Sequence, residues 1–248
     1  AYYLVHTLNE MLPLLDRDTY EMTQKKDTFS LEYIMTPKGS GKDGSTKTEE
    51  EKEQELLLDN FIKKYIPGVL DEVYIAKYCS EQQKEDIMAI VQDSLAYYRE
   101  MLMSQDWLSE EGRRLAVEKL DYICVRAVYP DTFVDYSSLN YEGKEGGTLI
   151  DAVAAINDFK KRQFSKKVNQ KVNRQEWDLA SLQTTSSNAY YMFNDNSINI
   201  LAGLLESGFF YDENAPYEQN LARIGTVIGH EITHAFDSDG AHTQCFNL

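Results

Sequence analysis

The segment Gly229-His230-Glu231-Ile232-Thr233-His234 places two imidazoles and one carboxylate at the spacing H-E-x-x-H. Imidazole nitrogens are the commonest protein ligands for transition-metal ions, and a neighbouring carboxylate can act as a base toward water. Whether the three groups can cooperate depends on the backbone beneath them. Residues 220–236 contain no proline and repeat apolar side chains at three- and four-residue steps, which predicts a helix. Each helical residue turns about 100°, so His230 and His234 stand about 40° apart, one turn along the same face. Two imidazoles so placed converge on one tetrahedral zinc. Glu231 falls on the flank of that face, where it can take a proton from activated water rather than bind the metal. Leu221, Ile228, Ile232 and Ala235 fall on the opposite side and are expected to pack into a core.

Two histidines are one ligand short of the usual three protein ligands of a catalytic zinc. The longer all-histidine variant needs Gly and His at positions held here by Asp237 and Gly240, so it is excluded. Asp239 and His242 are the candidate third ligands within the chain. Asp237, one turn beyond His234, either orients that ring from behind the metal site or faces solvent at the helix end. Arg223 falls on the histidine face two turns earlier, where it could contact a substrate carboxylate or interfere with zinc.

Helices must dominate the elements that position this segment. Apolar side chains recur at helical steps over residues 55–65 and 80–103, with Ile87, Ile90, Val91, Leu95 and Tyr98 as one stripe. Ser109 is the expected N-cap of a further helix backed by Leu115, Val117 and Leu120. Residues 1–34 and about 150–164 also read as helical. Tyr122–Val128, the run from Asn188 to Phe193, and Ser197–Leu201 read as short strands. Residues 37–48 read as a flexible loop, and Glu49–Glu53 as the charged first turn of a helix. The glycine-rich tract 140–147 suggests a boundary, giving a mostly helical lobe over 1–145 and a second domain over 146–248. The expected fold is mainly α with a small β component.

Bulk properties remove several function classes. The 248 residues carry 41 acidic and 25 basic side chains, a formal charge of −16, which disfavours nucleic acid and anionic membrane surfaces as partners. No apolar run is long enough for a membrane span. Three cysteines, Cys79, Cys124 and Cys245, make at most one disulfide and are expected to be free thiols. That argues against a disulfide-rich ectodomain and leaves the compartment, cytoplasmic or extracellular, open. The chain starts at Ala1 rather than Met, so something upstream is expected to have been removed.

Val227-Ile228-Gly229-His230-Glu231-Ile232-Thr233-His234-Ala235-Phe236-Asp237 resembles the V-I-G-H-E-I-T-H-G-F-D segment of neprilysin-like zinc endopeptidases. Ser187-Asn188-Ala189-Tyr190-Tyr191 resembles that family's V-N-A-Y-Y strand. Asn196-Ser197-Ile198, Ala202-Gly203-Leu204-Leu205 and Phe209-Phe210 follow in the family's order. Trp107-Leu108-Ser109, Arg113, Ala116, Lys119-Leu120, Tyr129-Pro130-Asp131 and Asn173-Arg174-Gln175-Glu176-Trp177 extend the likeness, which covers roughly residues 60 to 243.

The resemblance implies a helical lobe joined to the N-terminal part of a thermolysin-like zinc peptidase domain, and hydrolysis of oligopeptides. His230 and His234 would hold one zinc ion, with Glu231 as general base. Asn188 would bond the substrate backbone through its side chain, and main-chain groups of Ala189 would extend the peptide as an added strand. The family's third zinc ligand, a glutamate of an E-x-x-x-D motif, and its later histidine and arginine are not in these 248 residues. The third ligand is thus expected outside this chain, in remaining portions of a parent protein, and the 248 residues alone are expected to be inactive or nearly so. Leu201 stands where the family has proline, and Ala222-Arg223 replaces a glycine pair. The rival readings are a non-catalytic zinc- or peptide-binding relative, and an unrelated zinc hydrolase using His242 as third ligand.

Overall fold

The computed structural model describes residue 48 and residues 58–139, 148–206 and 208–243. The expected helix at 1–34, the loop at 37–47, the charged turn at 49–53, the boundary tract 140–147 and Cys245 lie outside the described residues.

The chain divides into two compact units. In one, helix α4 (Leu149–Lys167) begins on a reciprocal cap between Thr148 and Asp151 and buries Val153, Ile156 and Phe159. Those three side chains sit at i, i+3 and i+6, one face of a helix. Tyr136 packs on Phe159 with ring centroids 5.5 Å apart.

The larger unit holds the H-E-x-x-H segment. It contains helices α1 (Val69–Tyr78), α2 (Glu81–Met103), α3 (Glu110–Asp121) and α5 (Tyr217–His234), and strands β1 (Cys124–Val128), β2 (Ala189–Met192) and β3 (Ser197–Leu201). The three strands form a sheet ordered β1-β3-β2. β1 runs parallel to β3, from Cys124 opposite Ser197 to Val128 opposite Leu201, and β2 runs antiparallel to it, Ala189 opposite Ile200. Among the described residues the strand and helix expectations therefore hold in kind, with ends shifted by at most three residues.

α2 starts where Ser80 and Gln83 cap each other's backbone amides at 3.0 Å, and α3 where the Ser109 hydroxyl accepts from Gly112 N at 3.0 Å. Ile87, Ile90 and Val91 of α2 are fully buried, as the stripe predicts. They meet Ile198 and Ile200 of β3 and Ile224, Ile228 and Ile232 of α5 in one core. Burying each such side chain contributes about 1.5–3 kcal/mol. Because strand side chains alternate, Ser197 and Asn199 take the other face of β3, where Arg126 donates to Ser197 Oγ at 2.8 Å and Asn199 Oδ1 at 3.2 Å.

Two expectations for apolar packing fail. Leu115 is 49% exposed, and the buried part of α3 lies one turn later, at Lys119 and Leu120. Leu221 is 38% exposed. The first turn of α5 is tied down instead by buried Asn220, whose side-chain amide bonds Asp212 N at 3.0 Å and Asp212 O at 2.9 Å. Cys79 and Cys124 are free thiols. Among the described residues no helix is long and apolar enough to cross a membrane.

Candidate active site

The helix expected under the H-E-x-x-H segment is α5, and its spacing does what the wheel requires. Ile224, Ile228, Ile232 and Ala235 are fully buried, which fixes the rotation of α5 about its axis. The opposite side then carries both histidines. His230 Nε2 and His234 Nε2 approach to 3.1 Å, with ring planes at 82°. Two nitrogens held at about 2.0–2.1 Å from a tetrahedral ion lie about 3.3 Å apart, so the pair has the spacing zinc needs. Imidazole nitrogen also suits zinc chemically. On both counts these two residues fit the ion.

Glu231 is buried, and among the described residues no hydrogen-bond or ion-pair partner meets its carboxylate. A carboxylate without a protein partner is free to accept a proton or hydrogen bond from something bound there.

His234 is held from behind. Its Nδ1 lies 2.7 Å from Asp237 Oδ2. The other Asp237 oxygen accepts from the backbone amides of Gly240 at 2.8 Å and Asp239 at 2.9 Å. The Gly240 amide, and then His234, hold the Asp237 carboxyl below its usual range. Gly240 is required at this point, because a side chain there would overlap the His234 carbonyl oxygen.

Three residues near the pair were not assigned to it from sequence. Lys119 is buried and donates to Gly240 O at 2.5 Å and to Thr243 Oγ1 at 2.8 Å, holding the turn that carries Asp237. Its sequence signal was its place in the Lys119-Leu120 pair that extends the family likeness. Tyr98, read as one apolar stripe residue of α2, bonds Gly229 O at 2.9 Å just before His230. Phe193 stands edge-on to His234 with centroids 6.4 Å apart.

Asp239 and His242 do not complete the metal site: among the described residues no group of three metal-ligating side chains comes together. Asn188 is exposed at the start of β2, and its Oδ1 accepts from Ala189 N at 2.9 Å. Asn188 O pairs with Leu201 N of β3, so by strand alternation the N–H and C=O of Ala189 point to the outer edge of the sheet. Arg223 is two turns before His230 on α5, its Nη1 near Gly208 O at 3.4 Å.

A family model described as Peptidase family M13 matches residues 188–245, and a second under the same description matches residues 1–130. The chain belongs to peptidase family M13. M13 relatives include the neutral endopeptidase of Lactococcus lactis subsp. lactis, 31% identical over 194 residues, covering 78% of this chain and 30% of that protein. Neprilysin-2 of Caenorhabditis elegans is 27% identical over 183 residues, covering 72% of this chain and 24% of that protein. The chain thus spans less than a third of the length of these M13 relatives. Two solved structures are similar. The Mycobacterium tuberculosis zinc metalloprotease ZMP1 in its open state has a TM-score of 0.70 at 23% identity, over 96% of this chain and 33% of that one, a likeness of fold. PepO of Lactobacillus rhamnosis HN001 has a TM-score of 0.60 at 28% identity, over 75% of this chain and 29% of that one. The neprilysin-like resemblance and the mainly α fold with a small β component therefore hold, and M13 membership removes the unrelated zinc hydrolase as a rival.

Proposed function

We propose that the protein is a zinc metalloendopeptidase that hydrolyses oligopeptides, and that these 248 residues supply two of its zinc ligands and its general base. The approach of the two imidazole nitrogens to 3.1 Å, beside a buried carboxylate without a partner, carries this reading. When bound, zinc supplies Lewis-acid polarisation of water and of the scissile carbonyl. His230 and His234 hold the ion through Nε2. Asp237 keeps Nδ1 of His234 engaged, which leaves Nε2 as the coordinating nitrogen. Glu231 takes the proton of the attacking water and passes it to the leaving amine.

Substrate would lie along β2. The outward N–H and C=O of Ala189 offer a peptide a strand to join, and the Asn188 side chain turns from Ala189 N to the peptide backbone when it does. A lobe over 1–145 and the start of a catalytic domain over 146–248 remain our assignment for the parent protein. Two imidazoles alone hold zinc weakly, so the 248 residues by themselves bind it poorly and hydrolyse little.

The test is metal content and peptide hydrolysis in the full-length protein. We expect one zinc per chain and hydrolysis abolished by chelation and by Glu231→Gln, with zinc retained in that variant. Hydrolysis at the wild-type rate with Glu231→Gln would sink the mechanism. Stoichiometric zinc and peptide binding with no hydrolysis in the wild type would instead favour the non-catalytic relative.

A further inference from the structure

The site described so far leaves one cation on the same helix face unexplained. Arg223 precedes His230 by seven residues, two helical turns, which puts it about 10 Å along the axis on the face that carries the imidazoles. It lines a cleft of about 350 Å³ together with Gly208, Phe209, Phe210, Ala222 and Thr226. Among the described residues its guanidinium has one hydrogen bond, to Gly208 O, long at 3.4 Å. Among the described residues no carboxylate lies within ion-pair distance of it.

That lack is notable in a chain with a formal charge of −16. Three acidic side chains close to the cleft in sequence have partners elsewhere. Glu206 accepts from Tyr74 at 2.9 Å, and Glu213 from Ser80 at 2.7 Å. Asp212 Oδ1 accepts from Asn214 N at 2.9 Å. The cleft therefore presents an unneutralised guanidinium beside apolar surface from Phe209 and Phe210. Such a combination suits a side chain whose methylenes pack on the rings while its terminal carboxylate meets the guanidinium.

We propose that Arg223 is a specificity-determining residue that selects peptides bearing an acidic side chain near the scissile bond. This rests on the peptidase reading above and names its substrate class. An extended peptide advances about 3.3 Å per residue, so a 10 Å offset, shortened by the reach of the arginine, places the acidic residue within about three positions of the cleaved bond. The residue contacts substrate and not the reacting atoms, so its effect belongs in discrimination between peptides rather than in the rate of bond cleavage.

The test uses the full-length protein and peptide pairs with both termini blocked, differing only in Glu against Gln at each of the three positions on either side of the cleaved bond. At one position the wild type should favour Glu in kcat/KM by about fivefold or more, mainly through KM, and the preference should shrink in high salt. Arg223→Gln should reduce that ratio to near one while leaving the Gln peptide's kcat unchanged, and Arg223→Glu should invert it toward a Lys peptide. A parallel arm measures binding of the same fluorescent pairs to Glu231→Gln, which reads the preference without turnover. Equal treatment of Glu and Gln at every position by the wild type, or a preference that survives Arg223→Gln, would overturn the proposal. If no peptide is hydrolysed, the peptidase reading fails, and the binding arm still decides whether Arg223 selects carboxylates.

Discussion

Two polar clusters in the larger unit handle buried charge in opposite ways. Around β1 and β3, Arg126 is closed in by protein acceptors: Ser197 Oγ, Asn199 Oδ1, Asp195 Oδ2 at 2.9 Å and Arg174 O at 2.6 Å. Only its Nε lacks a partner. At the end of α5, the two imidazole nitrogens face each other and the Glu231 carboxylate meets no partner among the described residues. The first cluster, one N–H apart, closes on protein acceptors and works as structure. The second is complete only when something joins it, which distinguishes a site from a buried ion pair.

The comparison can be broken by substitutions on each side. On the open side, Glu231→Gln in the full-length protein should lower kcat by about a thousandfold with melting temperature and zinc content little changed, read by hydrolysis, calorimetry and metal analysis. On the closed side, Arg126→Met leaves Asp195 and two buried side chains without their cation and should destabilise the fold by about 3 kcal/mol in denaturant unfolding, with no selective loss of zinc affinity. Asp237→Ala frees the far nitrogen of His234 and should weaken zinc binding about tenfold or more in competition titrations, with a smaller loss of stability. Tyr98→Phe removes the bond to Gly229 O and should cost about 1 kcal/mol of stability while zinc affinity holds.

The acid range sharpens the same contrast. The Asp237 carboxyl titrates below its ordinary value of 3.8, held down by the Gly240 amide first and His234 second. A depressed carboxylate contributes fully above the unfolded value and loses its contribution as pH falls through the folded one. The Gly240 amide resonance should therefore shift with a midpoint below pH 3.8 in the metal-free protein. A midpoint at or above that value would remove the cap on this turn.

The rotation of α5 was legible because Ile228, Ile232 and Ala235 fall on one side and so fix which face the histidines take. The cap at Ser109 was legible for a similar reason, since local residue types decide it. The order of the sheet was not, because β1 pairs with β3 across some seventy residues and neither strand's sequence names its neighbour. The role of Lys119 was not legible because it depends on the Gly240 carbonyl, which lies 121 residues away in sequence. Leu221 misled because apolarity alone does not say where a helix's buried stripe begins. Arg223 was visible as a cation on the histidine face, but the cleft beside Phe209 and Phe210 is a property of the fold.

β2 is the outermost strand of its sheet, and an uncovered strand is an open template for any extended chain, including another copy of the same molecule. Here it spans only four residues, Ala189–Met192, and the amide of Asn188 already occupies the Ala189 N–H. A passing chain finds a short edge with its first donor capped. That cap thus works as protection against self-association.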